Sequence, residues 1–553
     1  MSDTARPPDG PEPVRRDEPD GPESVRRDQP GGPEESVRRD QPDGRHGPEA
    51  GAEDPEDPGQ DDADAATGSR RPSRRVVLLA LFGVLLLALA GVGVLSHQQV
   101  ISGDRGPAAP GRSLVVSQGA GTSLTGIGAL DGLAEPCTAW LLDTGAPATT
   151  QAVAVTTGRC AGIPDTGTVL VGESVHGVTV ALRALAPDTD ADTVSPVPVP
   201  VEQVLWASGR WQDRALLRLG ATYGELAQEG VRAIPVGSAQ QGDPVLVAGV
   251  PVAGIAPEQQ VLRGSRCEIG PVVDVLDDGW YWQGTHASDC TGILAGSAGS
   301  PVLDAAGRAV GMVVASTVGA ADGHDCVADR PCEVRDEAAV VAGDTTYVTA
   351  VDDLAGCLPR GVLVLGGSCP LELPDDAVPA TAGRRAAQPG DQVAISVRAP
   401  GRTRVAVRTG AVGTVDCTDP LGWSAPQAAR DWAAVVTLPA RPGWTLACVG
   451  SAEHATPVLV EADATPPDPG QIVLDEQPVA GGVRVAPTAA PPDLVDFRWV
   501  VGPGRVDCAT AEGYVAYADT PGFVQADDLP ATVCVIGVDD AGNASDPAAF
   551  LLE

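Results

Sequence analysis

Three short stretches of this chain hold residues suited to chemistry. The first, GILAGSAGSPVLD over residues 292–304, sets Ser297 and Ser300 in a glycine-rich turn that runs into a proline and a short apolar strand. The second, DRALLRL, opens an apolar strand with one acidic residue, Asp213. The third, QAVAVTTGRC, ends a valine-rich strand in Thr156, Thr157, Gly158, Arg159 and Cys160. A hydroxyl in a tight turn and a carboxylate at the head of a strand are two parts of nucleophilic acyl chemistry, whose third part is an imidazole that takes the hydroxyl proton. His46, His97, His176, His286, His324 and His454 all fall outside these stretches. His286 is nearest in sequence to the 292–304 loop and reads as a surface residue. His324 lies in the acidic loop GHDCVADRPCEVRDE, whose spacing does not match a D-x-[DN]-x-[DN]-G calcium loop.

The elements that must position these residues read as strands. CTAWLLD, GTVLVGE, GVTVALRAL, DPVLVAGV and AVGMVVAS are short, valine-rich and bounded by Gly, Pro or Asp, and long runs of 3.6-residue period are absent. Residues 126–370 are therefore expected to be all-β, with a length that suits a closed or double barrel. Two further units, 371–463 and 464–553, each begin in a Pro-rich segment and hold one cysteine pair among alternating strands with tryptophan. They resemble immunoglobulin-like and fibronectin type III-like β-sandwiches, the last through its final VCVIGVDDAGNASDP. Such sandwiches serve as spacers or as ligand-binding modules.

The first 75 residues carry Pro, Gly, Asp, Glu and Arg with almost no apolar residues, too little to offset the entropy of ordering a backbone. They read as a disordered arm. GPEPVRRD from Gly10, GPESVRRD from Gly21 and GPEESVRRD from Gly32 repeat within it, and each unit offers one valine, so no solenoid can stack. Next, VVLLALFGVLLLALAGVGVL from Val76 to Leu95 carries no charge, and twenty such residues span about 30 Å as a helix. This predicts one transmembrane helix. Arg70, Arg71, Arg74 and Arg75 on its N-terminal flank place the arm in the cytoplasm and residues 96–553 outside, a single-pass type II arrangement. Residues 96–125 are expected to form a stalk linker.

All twelve cysteines follow the apolar segment, which implies disulfides in an oxidising compartment. Sequential pairing is the expected pattern: Cys137 with Cys160, Cys267 with Cys290, Cys326 with Cys332, Cys357 with Cys369, Cys417 with Cys448, and Cys508 with Cys534. No pair has the CxxC spacing of a zinc ribbon, and neither a metal nor another cofactor is expected. The net charge is −37 and every cationic side chain is an arginine, so nucleic acid is excluded as a partner. Arginine in place of lysine, with abundant Ala, Gly and Val, points to a high-GC bacterium.

Taken in order, the three stretches resemble the trypsin-like (chymotrypsin-fold) serine protease family, nearest in style to its bacterial glutamyl-endopeptidase branch. The resemblance covers about 245 residues and implies a double β-barrel. In that family a T-A-A-H-C segment carries the catalytic histidine, and here Thr156 to Cys160 occupy it with Arg159 at the histidine position. The family's D-[IV]-A-L-L-[RK]-L places the histidine-orienting aspartate at Asp213. Laying Gly296, Gly299, Ser300 and Pro301 on G-x-S-G-S-P puts Ser297 at a variable position and Ala298 at the nucleophile. A shift of one residue would put Ser297 there but moves Gly296 off the oxyanion-hole position, and a shift to Ser300 puts Pro301 where a conformationally free residue is needed.

The expected protein is a membrane-anchored, extracytoplasmic pseudoprotease at the bacterial cell surface, with no catalytic residue and with vestigial positions Arg159, Asp213 and Ala298 beside the vestigial oxyanion loop Gly296, Ser297, Gly299 and Ser300. Arg159 and Asp213 are expected to form an ion pair. The partners implied are a membrane, an extracytoplasmic protein or peptide ligand, and a candidate cytoplasmic partner of the repeat arm. Two alternatives stand beside this reading: an active serine endopeptidase using a serine in another register, and a transmembrane sensor signalling through the arm.

Overall fold

Valine-rich segments cut by Gly, Pro and Asp become strands, and the alternation of their side chains sorts the core into layers. The computed structural model describes residues 110–553, apart from 120–121, 134, 189–194, 321–325, 328–329, 375–377, 384, 398–403, 429–432, 490–493 and 519–521. The repeat arm, the apolar segment Val76–Leu95 and residues 96–109 lie outside the described residues. Among the described residues no helix is long and apolar enough to cross a membrane.

The chain enters through β1 (Arg112–Ser113) and continues into β2 (Ile127–Asp131), β3 (Cys137–Leu141), β4 (Gln151–Thr156), β5 (Val169–Ser174), β6 (Thr179–Leu182), β7 (Val197–Ser208) and β8 (Arg214–Thr222). Hydrogen bonding runs β7-β6-β2-β3-β4-β8, and an added β7–β8 pairing closes these six strands into a barrel. The second sheet takes β9 (Pro244–Gly249), β10 (Arg263–Glu268), β11 (Val272–Asp277), β12 (Trp280–Ser288), β13 (Pro301–Leu303), β14 (Ala309–Ser316), β15 (Cys332–Arg335), β16 (Ala338–Val341) and β17 (Thr346–Thr349). Its order is β1-β10-β9-β13-β14-β17-β12-β11-β15-β16, antiparallel throughout. The expected all-β class holds, and the sheets are consistent with a double barrel.

Successive residues of a strand point to opposite faces. On β3, Ala139 and Leu141 enter the first barrel, while Trp140 between them faces a central layer. On β4, Ala152 and Ala154 go inward, and Val153 and Val155 go to the central layer. That layer also takes Ala248, Leu303 and Met312 from the second sheet. A third cluster, with Val247, Val302 and Val313, fills the second sheet's own interior. The strands around the site are thus buried on both faces, which holds their ends in fixed positions.

One expectation changes at the N-terminal side. Residues 112–126 are not a free stalk: β1 pairs with β10, Leu114 N donates to Leu262 O at 2.9 Å, and Leu124 is buried in the central layer. The Gly, Pro, Ser and Thr content suggested a linker, but two apolar side chains, Leu114 and Leu124, anchor this segment to the barrels. All six disulfides pair sequentially, as expected.

Beyond residue 378 the strands form two pairs of sheets. A three-stranded and a five-stranded sheet enclose Ile395, Val436 and Val449, and a three-stranded and a four-stranded sheet enclose Val485, Val524 and Val533. The first pair does not stand apart from the barrels. Its Trp444, Leu446 and Leu459 share one buried cluster with Leu276 and Tyr281 of the second sheet. Arg210, itself buried, binds Glu372 at 2.8 Å and donates to Ala455 O at 3.2 Å, and Thr166 Oγ1 donates to Pro457 O at 3.0 Å.

Because that core is shared, Leu446→Ala should lower the stability of both parts together, by about 2–5 kcal/mol for a fully buried leucine. Calorimetry of the full chain should show the barrels and the adjoining sandwich unfolding in one transition at a reduced temperature. Separate transitions, of which only one moves, would contradict the shared core.

Candidate functional site

Gly158 and Arg159 follow the end of β4, and Asp213 immediately precedes β8, the strand paired with β4. That pairing brings Arg159 and Asp213 together across 54 residues of sequence. The Arg159 backbone amide donates to Asp213 Oδ1 at 2.9 Å, and its Nε donates to Oδ2 at 3.1 Å. The expected ion pair is present. At Gly158 a Cβ would press against Ser208 O and within 2.9 Å of Asp213 Oδ1, so a side chain there would displace the carboxylate.

The guanidinium makes further contacts that the sequence did not disclose. One terminal nitrogen donates to Asp277 Oδ2 at 2.8 Å, the other donates to Val314 O at 2.8 Å, and the group lies 4.7 Å from the Trp282 ring centroid. Asp277 ends β11, Trp282 is on β12 and Val314 is on β14, all in the second sheet. Arg159 therefore bridges the two sheets. Asp213 and Asp277 have side-chain exposures of 0% and 2%, while Arg159 keeps 20%. One cation thus serves two buried carboxylates.

Electrostatics follow from that burial. Desolvation works to lower the Arg159 pKa, but Asp277 and Asp213 outweigh it and hold the guanidinium even more firmly charged than usual. Burial is the largest effect on the Asp213 carboxyl and leaves it above its usual range, although Arg159 and the backbone amides of Arg159 and Gly158 work to lower it. An arginine in this state has no lone pair with which to accept a proton.

The 292–304 loop lies against the same region. Ala298 packs on the cluster that holds Cys137 and Cys160, and Cys160 Sγ is 4.0 Å from Ala298 O. Thr138, buried on β3, staples the loop: its amide donates to Ala298 O at 2.8 Å, its hydroxyl donates to Gly296 O at 3.0 Å, and that hydroxyl accepts from Val250 N at 2.9 Å. Gly299 has φ +86°, and a Cβ there would run into Thr138 O and Thr156 Oγ1. Its glycine is required on both counts.

Neither serine of the loop has a histidine partner among the described residues. Ser297 is 2% exposed, and Ser300 is fully buried, with a hydroxyl that packs against Gly249 and finds no hydrogen-bond partner. His286 donates from Nδ1 to Gly270 O at 3.0 Å, on the far strand of a hairpin, and His176 is exposed. His324 lies outside the described residues. Glu135, Cys137 and Cys160 come close enough to hold a metal ion, but the two sulfurs are joined in a disulfide and offer no thiolate.

Residues 137–312 match the family model of the trypsin-like peptidase domain. A trypsin-like peptidase domain is present. The matched residues run from the first cysteine of β3 into β14 and so take in Arg159, Asp213, Asp277 and the loop around Ala298. Among solved structures, a thermostable serine protease, AL20, from an extremophilic microorganism is similar at 15% identity, over 41% of this chain and 91% of that one, with a TM-score of 0.24. No curated protein matches the chain.

Within the trypsin-like domain, removing Arg159 strands two buried carboxylates rather than one. Arg159→Met should cost about 3–5 kcal/mol, the range for breaking a buried ion pair. Adding Asp277→Asn should recover part of that loss, with a coupling of about 0.5–3 kcal/mol between the two changes. Denaturant titrations of the four proteins in the cycle, followed by tryptophan fluorescence, measure it. Strictly additive effects would mean that Arg159 and Asp277 do not depend on each other.

Proposed function

We propose that the trypsin-like domain is a pseudoprotease, and that the protein is a noncatalytic, membrane-anchored binding or scaffold protein facing the outside of a bacterial cell. The observation that carries this reading is the engagement of all three nitrogens of the Arg159 guanidinium by Asp213, Asp277 and Val314 O. In the register drawn from the sequence, Arg159 holds the place of the catalytic histidine and Ala298 that of the nucleophile. Acyl transfer from such a site has no oxygen to start from and no base to take a proton. In a comparable triad, loss of the serine or the histidine alone lowers turnover by about 10⁶.

The two serines of the 292–304 loop do not supply a substitute. Ser300 is enclosed, Ser297 is almost enclosed, and neither meets an imidazole among the described residues. The rest of the reading comes from the sequence: Val76–Leu95 as the anchor, the arginines before it as the cytoplasmic flank, and the two C-terminal units as immunoglobulin-like and fibronectin type III-like sandwiches. Six disulfides suit an oxidising compartment on the outer side of a membrane.

Fluorophosphonate labelling of the full chain, run beside the Arg159→His, Ala298→Ser double variant, tests the absence of a reactive serine. Wild type should remain unlabelled under conditions that label an active serine protease added to the same tube. A labelled wild-type chain would overturn the reading, and the modified serine, located by mass spectrometry, would be the nucleophile of an active hydrolase.

A further inference from the structure

A groove of about 1160 Å³ opens elsewhere on the trypsin-like domain, and neither Arg159, Asp213, Asp277 nor Ala298 lines it. Its walls come from both barrels. Leu141, Tyr223 and Val231 stand on the first side, Val245 and Leu303 on the second, and Leu124 of the N-terminal segment between them. Most of the floor is apolar and buried, with Leu141, Val231, Val245 and Leu303 all under 5% exposed. Sites between domains with apolar walls and a few polar groups are where proteins usually bind ligands, and this volume exceeds what a drug-sized molecule fills. It suits an extended peptide.

The charges at the groove favour one kind of peptide. Arg232 and Arg266 both line it, both are exposed, and neither has an ion-pair partner among the described residues. Of the two acids that line it, Asp304 is neutralised by Arg308 at 2.7 Å and accepts the amides of Ala306 and Arg308. Asp143 accepts the amide of Gly145 at 2.9 Å. On a chain of net charge −37, most of the surface repels carboxylates. Two unpaired guanidiniums over an apolar floor make an exception to that repulsion.

We infer that this groove binds an extended segment of a partner protein in which aliphatic side chains alternate with carboxylates, the aliphatic ones seated on the floor and the acidic ones on Arg232 and Arg266. The inference rests on the reading of the domain as a binding module and gives that module a surface and a partner chemistry. Arginine's planar fork can hold each carboxylate by two parallel hydrogen bonds. Specificity comes from the surrounding negative surface, which turns away acidic segments that cannot reach both guanidiniums.

The test uses the full chain in detergent at 0.15 M salt and two fluorescein-labelled octapeptides, one of alternating leucine and glutamate, the other of alternating leucine and serine. Fluorescence anisotropy should show the glutamate peptide binding at least tenfold more tightly than the serine peptide. In the Arg232→Glu, Arg266→Glu variant the glutamate peptide should lose at least tenfold in affinity while the serine peptide stays within about twofold, which also reports that the groove remains folded. Equal binding of the two peptides by wild type, no binding of either, or unchanged glutamate-peptide binding by the variant would overturn the proposal. If the variant loses both peptides, the milder Arg232→Gln, Arg266→Gln pair decides by the same criterion. Fluorophosphonate labelling of the same sample separates the two readings: a labelled chain that still prefers the glutamate peptide sinks the noncatalytic assignment alone, and an unlabelled chain without that preference sinks the groove alone.

Discussion

The interior of the trypsin-like domain depends on a charge balance at Arg159. Two carboxylates, Asp213 from the first barrel and Asp277 from the second sheet, are removed from water, and one guanidinium neutralises both. Burial of charge is expensive, and an ion pair in a protein interior is no guarantee of net stability. Its effect here is on arrangement. Each nitrogen of the planar guanidinium donates to a different element, so the end of β4, the start of β8, the end of β11 and the carbonyl of Val314 must all keep their positions for the charges to be met. A histidine, with two ring nitrogens, could not serve Asp213, Asp277 and Val314 O at once. The presence of Asp277 therefore ties residue 159 to arginine more firmly than Asp213 alone would.

Around that balance, apolar packing does the larger part of the work. The alternation along β3 and β4 feeds two layers at once, and Thr138 fastens the 292–304 loop to the first barrel through two hydrogen bonds while a third holds Val250. The adjoining sandwich extends the same logic outward. Its Trp444 and Leu446 complete a cluster begun by Leu276 and Tyr281, the immediate sequence neighbours of Asp277 and Trp282. The β11–β12 hairpin thus has the Arg159 site on one side and the sandwich core on the other.

Much of this was readable from residue types and spacing, and the failures have physical causes. Asp213 and Arg159 could be paired in advance because the resemblance to trypsin-like proteases puts them at the places of the orienting aspartate and its histidine, and the cysteines pair in sequence because each pair closes a short loop. Asp277 could not be found that way. It stands in VLDDG, where two acids before a glycine read as a solvated turn, and only the fold reveals that Asp277 turns inward while Asp278 faces Arg385 at the surface. Thr138 was hidden for a similar reason, since a threonine in a strand is ordinarily a packing residue. The segment at 112–126 was misjudged because composition averages over a few well-spaced leucines that decide whether a chain docks or floats.

That docking changes where a mechanical load would fall. A tether that ended in a loose stalk would stretch before any folded part felt tension. Here the chain reaches the barrels through β1, whose two residues pair with β10 in antiparallel register, Arg112 with Gly264 and Ser113 with Arg263. Tension applied upstream of residue 110 would be delivered to the rim of the second sheet, and from β10 to its neighbour β9, which also lines the groove. Any pull on the chain from that side would therefore pass through a wall of the groove.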